Sequence, residues 1–192
     1  MHEVDKLVFG WINRWPEAWR GMFVFLSEAT KGTGVRLAIL ALVLAMVAMA
    51  KRTREAVIQV VIAVALSDSS THLLKLSIPW LRPCNELTDA ILRVGRLDSY
   101  GTASAHSANM AAVATVLVGR LGWYGSPWIL VAILTGLSRV YVGVHYPLQV
   151  LLGWTIGVLL GILVLKTWDA ILAKRNHVRS GDEDKPIGEP PR

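Results

Sequence analysis

The chain has 192 residues, with 20 Lys and Arg against 14 Asp and Glu for a formal net charge of +6; 53% of it is hydrophobic and 18% charged. Soluble domains carry about 25% charged residues, so charge is too scarce here to cover an aqueous surface, and a mean hydropathy of +0.45 points to a bilayer as solvent. This composition excludes a disordered chain and a collagen-like fibre, and the single cysteine, Cys84, excludes an internal disulfide or a site built from several thiolates.

At the N-terminus, Trp11, Trp15, Trp19, Met22, Phe23 and Leu26 recur at spacings of 3 to 4, which is one face of a helix. Arg14, Glu17 and Arg20 lie between them. Tryptophan favours the headgroup region, so an interfacial helix is expected, leading into a short first span over about 16–30. An uninterrupted apolar h-region is missing, and no signal peptide is expected.

Five more spans follow from the rule that ~20 apolar residues cross ~30 Å of hydrocarbon. They are expected over 35–50, 56–66 with its continuation through "SDSSTH" into "LLKLSI", 108–118, 126–137 with its continuation into "SRVYVGVHYP", and 147–165. The expected fold is therefore all-helical, a polytopic membrane bundle of about six transmembrane helices with an interfacial N-terminal helix. One membrane-embedded domain would cover 1–173, and the polar stretch 174–192 would be a solvated, disordered cytoplasmic tail. Gly153, Gly157 and Gly161 form a small stripe on the last span, of the kind that lets helices approach closely.

Basic residues accumulate on the cytoplasmic side. The "KRTR" loop at 51–54, Arg120 and the "AKRNHVR" end of the last span mark that side, and with six crossings both termini lie there. Loops 77–102 and 143–147 are then outside. By the same parity Lys75, Arg82, His106, Arg139 and His145 all reach the outer surface.

Three cations and two histidines at one surface suit a phosphate, since arginine grips its oxygens in a bidentate fork. A helix N-terminus adds free N–H groups and a favourable dipole, and "YGTASAHSANM" looks like such a start, with Ser104 as cap or phosphate donor. Singly, Lys75, Arg82 and Arg139 read as interfacial anchors; Ser104 alone reads as an ordinary N-cap. No carboxylate cluster or histidine pair at metal-ligand spacing accompanies them, so neither metal nor cofactor is expected. Asp68, His72 and Lys75 share one helical face at i, i+4 and i+7, making Asp68 either a counter-charge for Lys75 or a helix-packing group. Arg93 and Arg96 are candidates for a second anionic group, while Glu86, Asp98, His2, His177 and Cys84 read as bystanders.

Three fragments, "KLSIPWLRP" (75–83), "ASAH" (103–106) and "SRVYVGVH" (138–145), resemble in order and spacing the type 2 phosphatidic acid phosphatase superfamily, membrane lipid phosphatases that share a fold with acid phosphatases and vanadium haloperoxidases. The resemblance implies that His145 is the nucleophile, forming a phosphohistidine, and that His106 is the general acid for the leaving oxygen. It assigns Lys75, Arg82, Ser104 and Arg139 to phosphate binding. This sequence departs from the family pattern at Gln149, where an Asp normally orients the nucleophile, and at Ala103 and Ala105, which flank the serine in place of Pro and Gly. Gln149 and Asp68 are the candidate orienting groups. The implied activity is metal-independent removal of phosphate from a lipid phosphate or diphosphate, of undecaprenyl diphosphate, phosphatidylglycerophosphate or lipid A 1-phosphate type, with the membrane lipid as partner and no nucleic acid. Two alternatives stay open, a lipid-to-lipid phosphotransferase of the same fold and a catalytically impaired lipid-phosphate-binding protein. The implied location is the bacterial inner membrane, with the site facing outward.

Overall fold

The computed structural model describes residues 2–183, with the side chains of 3–177. Among these residues the chain is helical and contains no strand. Two short helices, α1 (His2–Asn13) and α2 (Arg20–Glu28), precede a 3-10 turn (Ala29–Lys31) and the apolar α3 (Thr33–Ala48). Then come α4 (Lys51–Ser77), the single turn α5 (Pro83–Glu86), α6 (Ala105–Leu121), α7 (Pro127–Tyr141) and α8 (Pro147–Glu183).

Helix α6 is the hub, packed on α4, α7 and α8. Its face toward α8 is small, with Ala108, Ala111 and Ala112 buried, and the glycine stripe of α8 lies against it. A Cβ on Gly157 would meet Ala108 O at 2.1 Å, and one on Gly153 would meet Ser104 O at 2.5 Å. The stripe therefore serves helix packing. At the opposite end of the bundle Arg120 ties three helices, donating to Gln59 Oε1 of α4 at 2.7 Å and to Leu165 O of α8 at 3.1 Å. It also pairs with Asp169 at 2.7 Å.

Among the described residues α4 and α8 are long and apolar enough to cross a membrane, and α7 is a shorter apolar helix. The segment Glu17–Lys31 and helix α3 count as a third span only if taken as one, yet they meet at a bend of 69°. Leu37, Leu40 and Leu44 of α3, Ile62 of α4, and Leu159 and Leu163 of α8 are all exposed. An apolar belt of this extent marks a surface meant for a nonaqueous neighbour.

The expected first span over 16–30 packs on the end of α7 and meets α3 at the sharp bend. Tyr141, the last residue of α7, donates its hydroxyl to Pro16 O at 3.1 Å, and its ring lies 4.8 Å from that of Phe23. Pro16, before α2, and Phe23, within it, thus touch the same end of α7. The reason lies in the sequence, where Arg14, Glu17 and Arg20 punctuate the apolar face. The tryptophan spacing does form one face: Trp11, Trp15 and Trp19 stack edge to face in succession, with Phe23 next to Trp19. Helix α1 is pinned to the same end of the bundle by Asp5, whose Oδ1 accepts from Leu148 N at 2.9 Å and caps α8 from outside. Helix α8 continues through 174–183, the first part of the expected tail; the remainder of that tail lies outside the described residues.

Candidate active site

The site is built where α4, α6 and α8 meet the end of α7. A tight turn carries His145. Helix α7 stops at Tyr141, Gly143 follows with a φ of +88°, and a Cβ there would meet Ile91 O at 2.6 Å, so only glycine fits. The chain then folds back over Arg139, whose carbonyl accepts from the N–H groups of both Val144 and His145. His145 is buried, 3% exposed.

Both ring nitrogens of His145 are held. Arg82 Nη1 donates to Nε2 at 2.7 Å, and since a guanidinium is only a donor, Nε2 carries the lone pair and Nδ1 the proton. Nδ1 then donates to Gln149 Oε1 at 3.0 Å. The same oxygen accepts from Tyr146 N at 3.2 Å, while Gln149 Nε2 donates to Leu81 O at 2.8 Å. Each amide atom of Gln149 thereby meets the partner it requires. Burial, then the charges of Arg82 and Arg139, hold the His145 pKa well below the usual 6.5, with the Gln149 hydrogen bond opposing.

Arg82 is anchored by backbone, donating to Ser99 O at 2.6 Å, Val144 O at 3.0 Å and Tyr100 O at 3.1 Å. Gly101 closes this corner, because a Cβ there would lie 2.7 Å from Gln149 Oε1 and 2.9 Å from Arg82 Cγ. Arg139 is also buried. Its Nη1 donates to the carbonyl of Ser27 at 3.0 Å and to the Ser27 hydroxyl, and the carboxylate of Glu28 stands 3.9 Å away. Its Nε has no hydrogen-bond partner although buried.

Helix α6 brings the remaining residues. Ser104 is its N-cap, accepting from Ser107 N at 3.4 Å, and its own N–H donates to Gln149 O at 3.0 Å. The cap reading of Ser104 is thus realised. His106, the second residue of α6, lies within electrostatic reach of Arg139, Lys31, Lys75 and Arg82; Lys75 in turn feels Arg82, Asp68 and Arg139. Six of the eight sequence-derived residues are thus gathered around one point with Gln149 beside them, and only Asp68 stands apart. Asp68 is exposed on α4 and accepts from Asn109 Nδ2 at 3.4 Å, the helix-to-helix contact of its packing reading, while its charge still reaches Lys75.

Ser27, Glu28 and Lys31 belong to this neighbourhood and carry no motif. Arg93, by contrast, is no headgroup contact. It is buried, pairs with Glu17 at 2.8 Å, donates to Asn13 O and Tyr141 O at 2.8 Å each and stacks 4.1 Å over the Tyr141 ring. Arg96 donates to Cys84 O. Glu86 is no bystander either, since it accepts from Tyr146 Oη at 2.9 Å and pairs with Lys6 at 2.9 Å.

The PAP2 superfamily model matches residues 56–172, which includes every one of the motif positions. The chain belongs to the PAP2 superfamily. Among its relatives is an undecaprenyl-diphosphatase of Sulfolobus acidocaldarius, 34% identical over 142 residues, or 71% of this chain and 65% of that protein. The undecaprenyl-diphosphatase BcrC of Bacillus subtilis is 31% identical over 68 residues, 35% of each chain. This PAP2 chain therefore spans less than two thirds of the length of these relatives. Its fold is similar to that of Aquifex aeolicus LpxE, with a TM-score of 0.71, 27% identity and coverage of 83% of this chain and 93% of the other. It is also similar in fold to a transmembrane PAP2 type phosphatidylglycerolphosphate phosphatase from Bacillus subtilis, with a TM-score of 0.69, 22% identity and coverage of 97% and 89%.

Proposed function

We propose that this PAP2 protein is a membrane lipid phosphatase that removes phosphate from a lipid phosphate or diphosphate through a phosphohistidine on His145. The observation that carries the reading is the tautomer of His145, with a lone pair on Nε2 beside the Arg82 guanidinium and the proton on Nδ1 held by Gln149. A neutral buried imidazole of this kind is a nucleophile in waiting.

In the first step the Nε2 lone pair attacks phosphorus, and the bond from phosphorus to the leaving oxygen breaks with its electron pair on that oxygen, which takes a proton from His106. In the second step water attacks phosphorus, the N–P bond breaks, and His106 receives the water's proton. Arg82, Arg139 and Lys75 stabilise the charge spread over the transferring oxygens. Ser104 contributes by fixing the start of α6 and, through its N–H, the backbone of Gln149. The neutral Gln149 does the positioning work of a carboxylate without its charge, which favours turnover over a lipid-binding role.

Five passes of the bilayer fit the geometry better than six, through α3, α4, α6, α7 and α8, with α1 and α2 lying along the site end at the interface. Basic residues at 51–54 and Arg120 then remain cytoplasmic, and the site faces outward from a bacterial inner membrane. Relatives named for undecaprenyl diphosphate support a lipid diphosphate as substrate. Among the described residues no three His, Cys, Asp or Glu side chains group as metal ligands, and turnover without metal belongs to the proposal. The test is phosphate release by purified protein in detergent with EDTA, across lipid monophosphates and diphosphates, beside His145→Ala. Release that is lost in the variant supports the reading; release that survives in it overturns the histidine mechanism.

A further inference from the structure

The bend between α2 and α3 carries charge into the site that no motif announces. Glu28 reaches Arg139 Nη1 with one oxygen, at 3.9 Å, and Lys31 Nζ with the other, at 2.5 Å. One carboxylate thus stands between two cations. Arg139 is pinned by Ser27 and retains a buried Nε without a hydrogen-bond partner, so its guanidinium has unused donor capacity. The turn that bears Lys31 is fixed from α3, where Arg36 donates to Thr30 O at 2.8 Å and Lys31 O at 3.0 Å. Lys31 itself is 60% exposed, free to exchange one anion for another, and its charge is felt at His106.

We propose that Lys31, bridged to Arg139 in this structure by the Glu28 carboxylate, forms a subsite for the second phosphate of a lipid diphosphate, the one that departs with the lipid, while Arg139 stays with the phosphate that is transferred. This rests on the phosphatase reading above. The phosphate to be transferred faces His145 Nε2 and Arg82; the leaving oxygen faces His106. Lys31 is joined to Arg139 through Glu28 and its charge is felt at His106; on the leaving-group side a lipid diphosphate places a charged phosphate and a lipid monophosphate places only an alkyl oxygen. When the P–O bond breaks, the electron pair stays on the departing phosphate, and an ammonium there stabilises it. Glu28 fills the subsite between substrates and swings out when a phosphate pairs with Lys31.

The experiment compares farnesyl diphosphate with farnesyl phosphate, which share one tail, in wild type, Lys31→Met and Lys31→Arg. A lost charge-assisted contact is worth about tenfold or more. The subsite predicts that Lys31→Met lowers kcat/KM about tenfold or more for the diphosphate and less than about twofold for the monophosphate, with Lys31→Arg recovering most of the loss. Equal losses on both lipids, or none on either, overturn it. A binding readout runs alongside: inorganic pyrophosphate is expected to raise the melting temperature of wild type more than inorganic phosphate does, and the difference is expected to vanish in Lys31→Met. If wild type releases phosphate from neither lipid, the phosphatase reading fails, and the pyrophosphate difference alone decides the subsite.

Discussion

Arg82 Nη1 lies 2.7 Å from His145 Nε2, so the nitrogen with the lone pair is capped by the cation that would bind phosphate. A phosphate oxygen entering the site competes for that guanidinium and frees the lone pair in the same movement. In the proposed mechanism, phosphate binding and activation of His145 would thereby be one event.

That relationship makes Arg82 sensitive to shape as well as charge. A lysine keeps the charge but loses the fork and the bonds to Ser99 O, Tyr100 O and Val144 O. Arg82→Lys is expected to lower kcat/KM by about 10²-fold, the scale of one lost oxyanion donor. Steady-state kinetics on one lipid substrate checks this; a change below about twofold contradicts it.

The pH response follows from His145. Its pKa in the folded protein is lowered by burial and by Arg82 and Arg139, while in the unfolded chain it titrates near 6.5. Below pH 6.5 the unfolded chain takes up a proton that the native imidazole refuses. Stability is therefore lost as pH falls from 6.5 toward the native pKa, and His145 contributes no pH dependence above 6.5. The nucleophile remains neutral over the same window, so kcat at saturating substrate is expected to show no loss of nucleophile between pH 7 and 6. Denaturation profiles of wild type and His145→Ala, with a kcat profile of wild type, test both signs, and the acid loss of stability is expected to be smaller in the variant.

Gln149 separates orientation from charge. Gln149→Leu removes the acceptor for Nδ1–H and leaves Leu81 O without its donor, and kcat is expected to fall by about 10²- to 10⁴-fold, the span for misplaced acid–base groups. Gln149→Glu keeps the reach and adds a negative charge, which stabilises imidazolium. Its acid limb of kcat is expected to move upward in pH relative to wild type. A pH–rate profile identical to wild type would contradict the assigned hydrogen bond.

Gly101 is a steric prediction. Its missing Cβ leaves room for the Gln149 amide and the Arg82 stem, so Gly101→Ala forces both to shift. The expected cost is about 1–3 kcal/mol of stability, as for overpacking elsewhere, together with a loss of activity larger than the loss of folded protein. Denaturation midpoints and activity per folded molecule check the pair.

Much of the site was legible because it rests on short-range spacing. The seven-residue step from Lys75 to Arg82, the cap at Ser104 before His106, and the turn from Arg139 to His145 each lie within a single turn or helix end, and the local sequence dictates them. The tryptophan face was legible for the same reason. Ser27, Glu28 and Lys31 were not, because their role depends on a 69° bend that brings α2 back over the end of α7; in the sequence, Glu28, Lys31, Gly32 and Gly34 read as a polar break between two ordinary spans. Arg93 misled in the opposite way. Its charge suggested a headgroup, but Glu17, Asn13 and Tyr141, distant along the chain, enclose it. Asp5 illustrates the same limit, since a cap supplied to α8 by α1 has no signature near either residue.

The central claim is a phosphoryl group on His145, and the most direct measurement is rapid acid-free quench of turnover with a terminally ³²P-labelled lipid diphosphate, followed by peptide mapping. Alkali-stable, acid-labile label is expected on the peptide containing His145 and is expected to be absent in His145→Ala. Continued phosphate release by His145→Ala, with no labelled peptide in wild type, would contradict it.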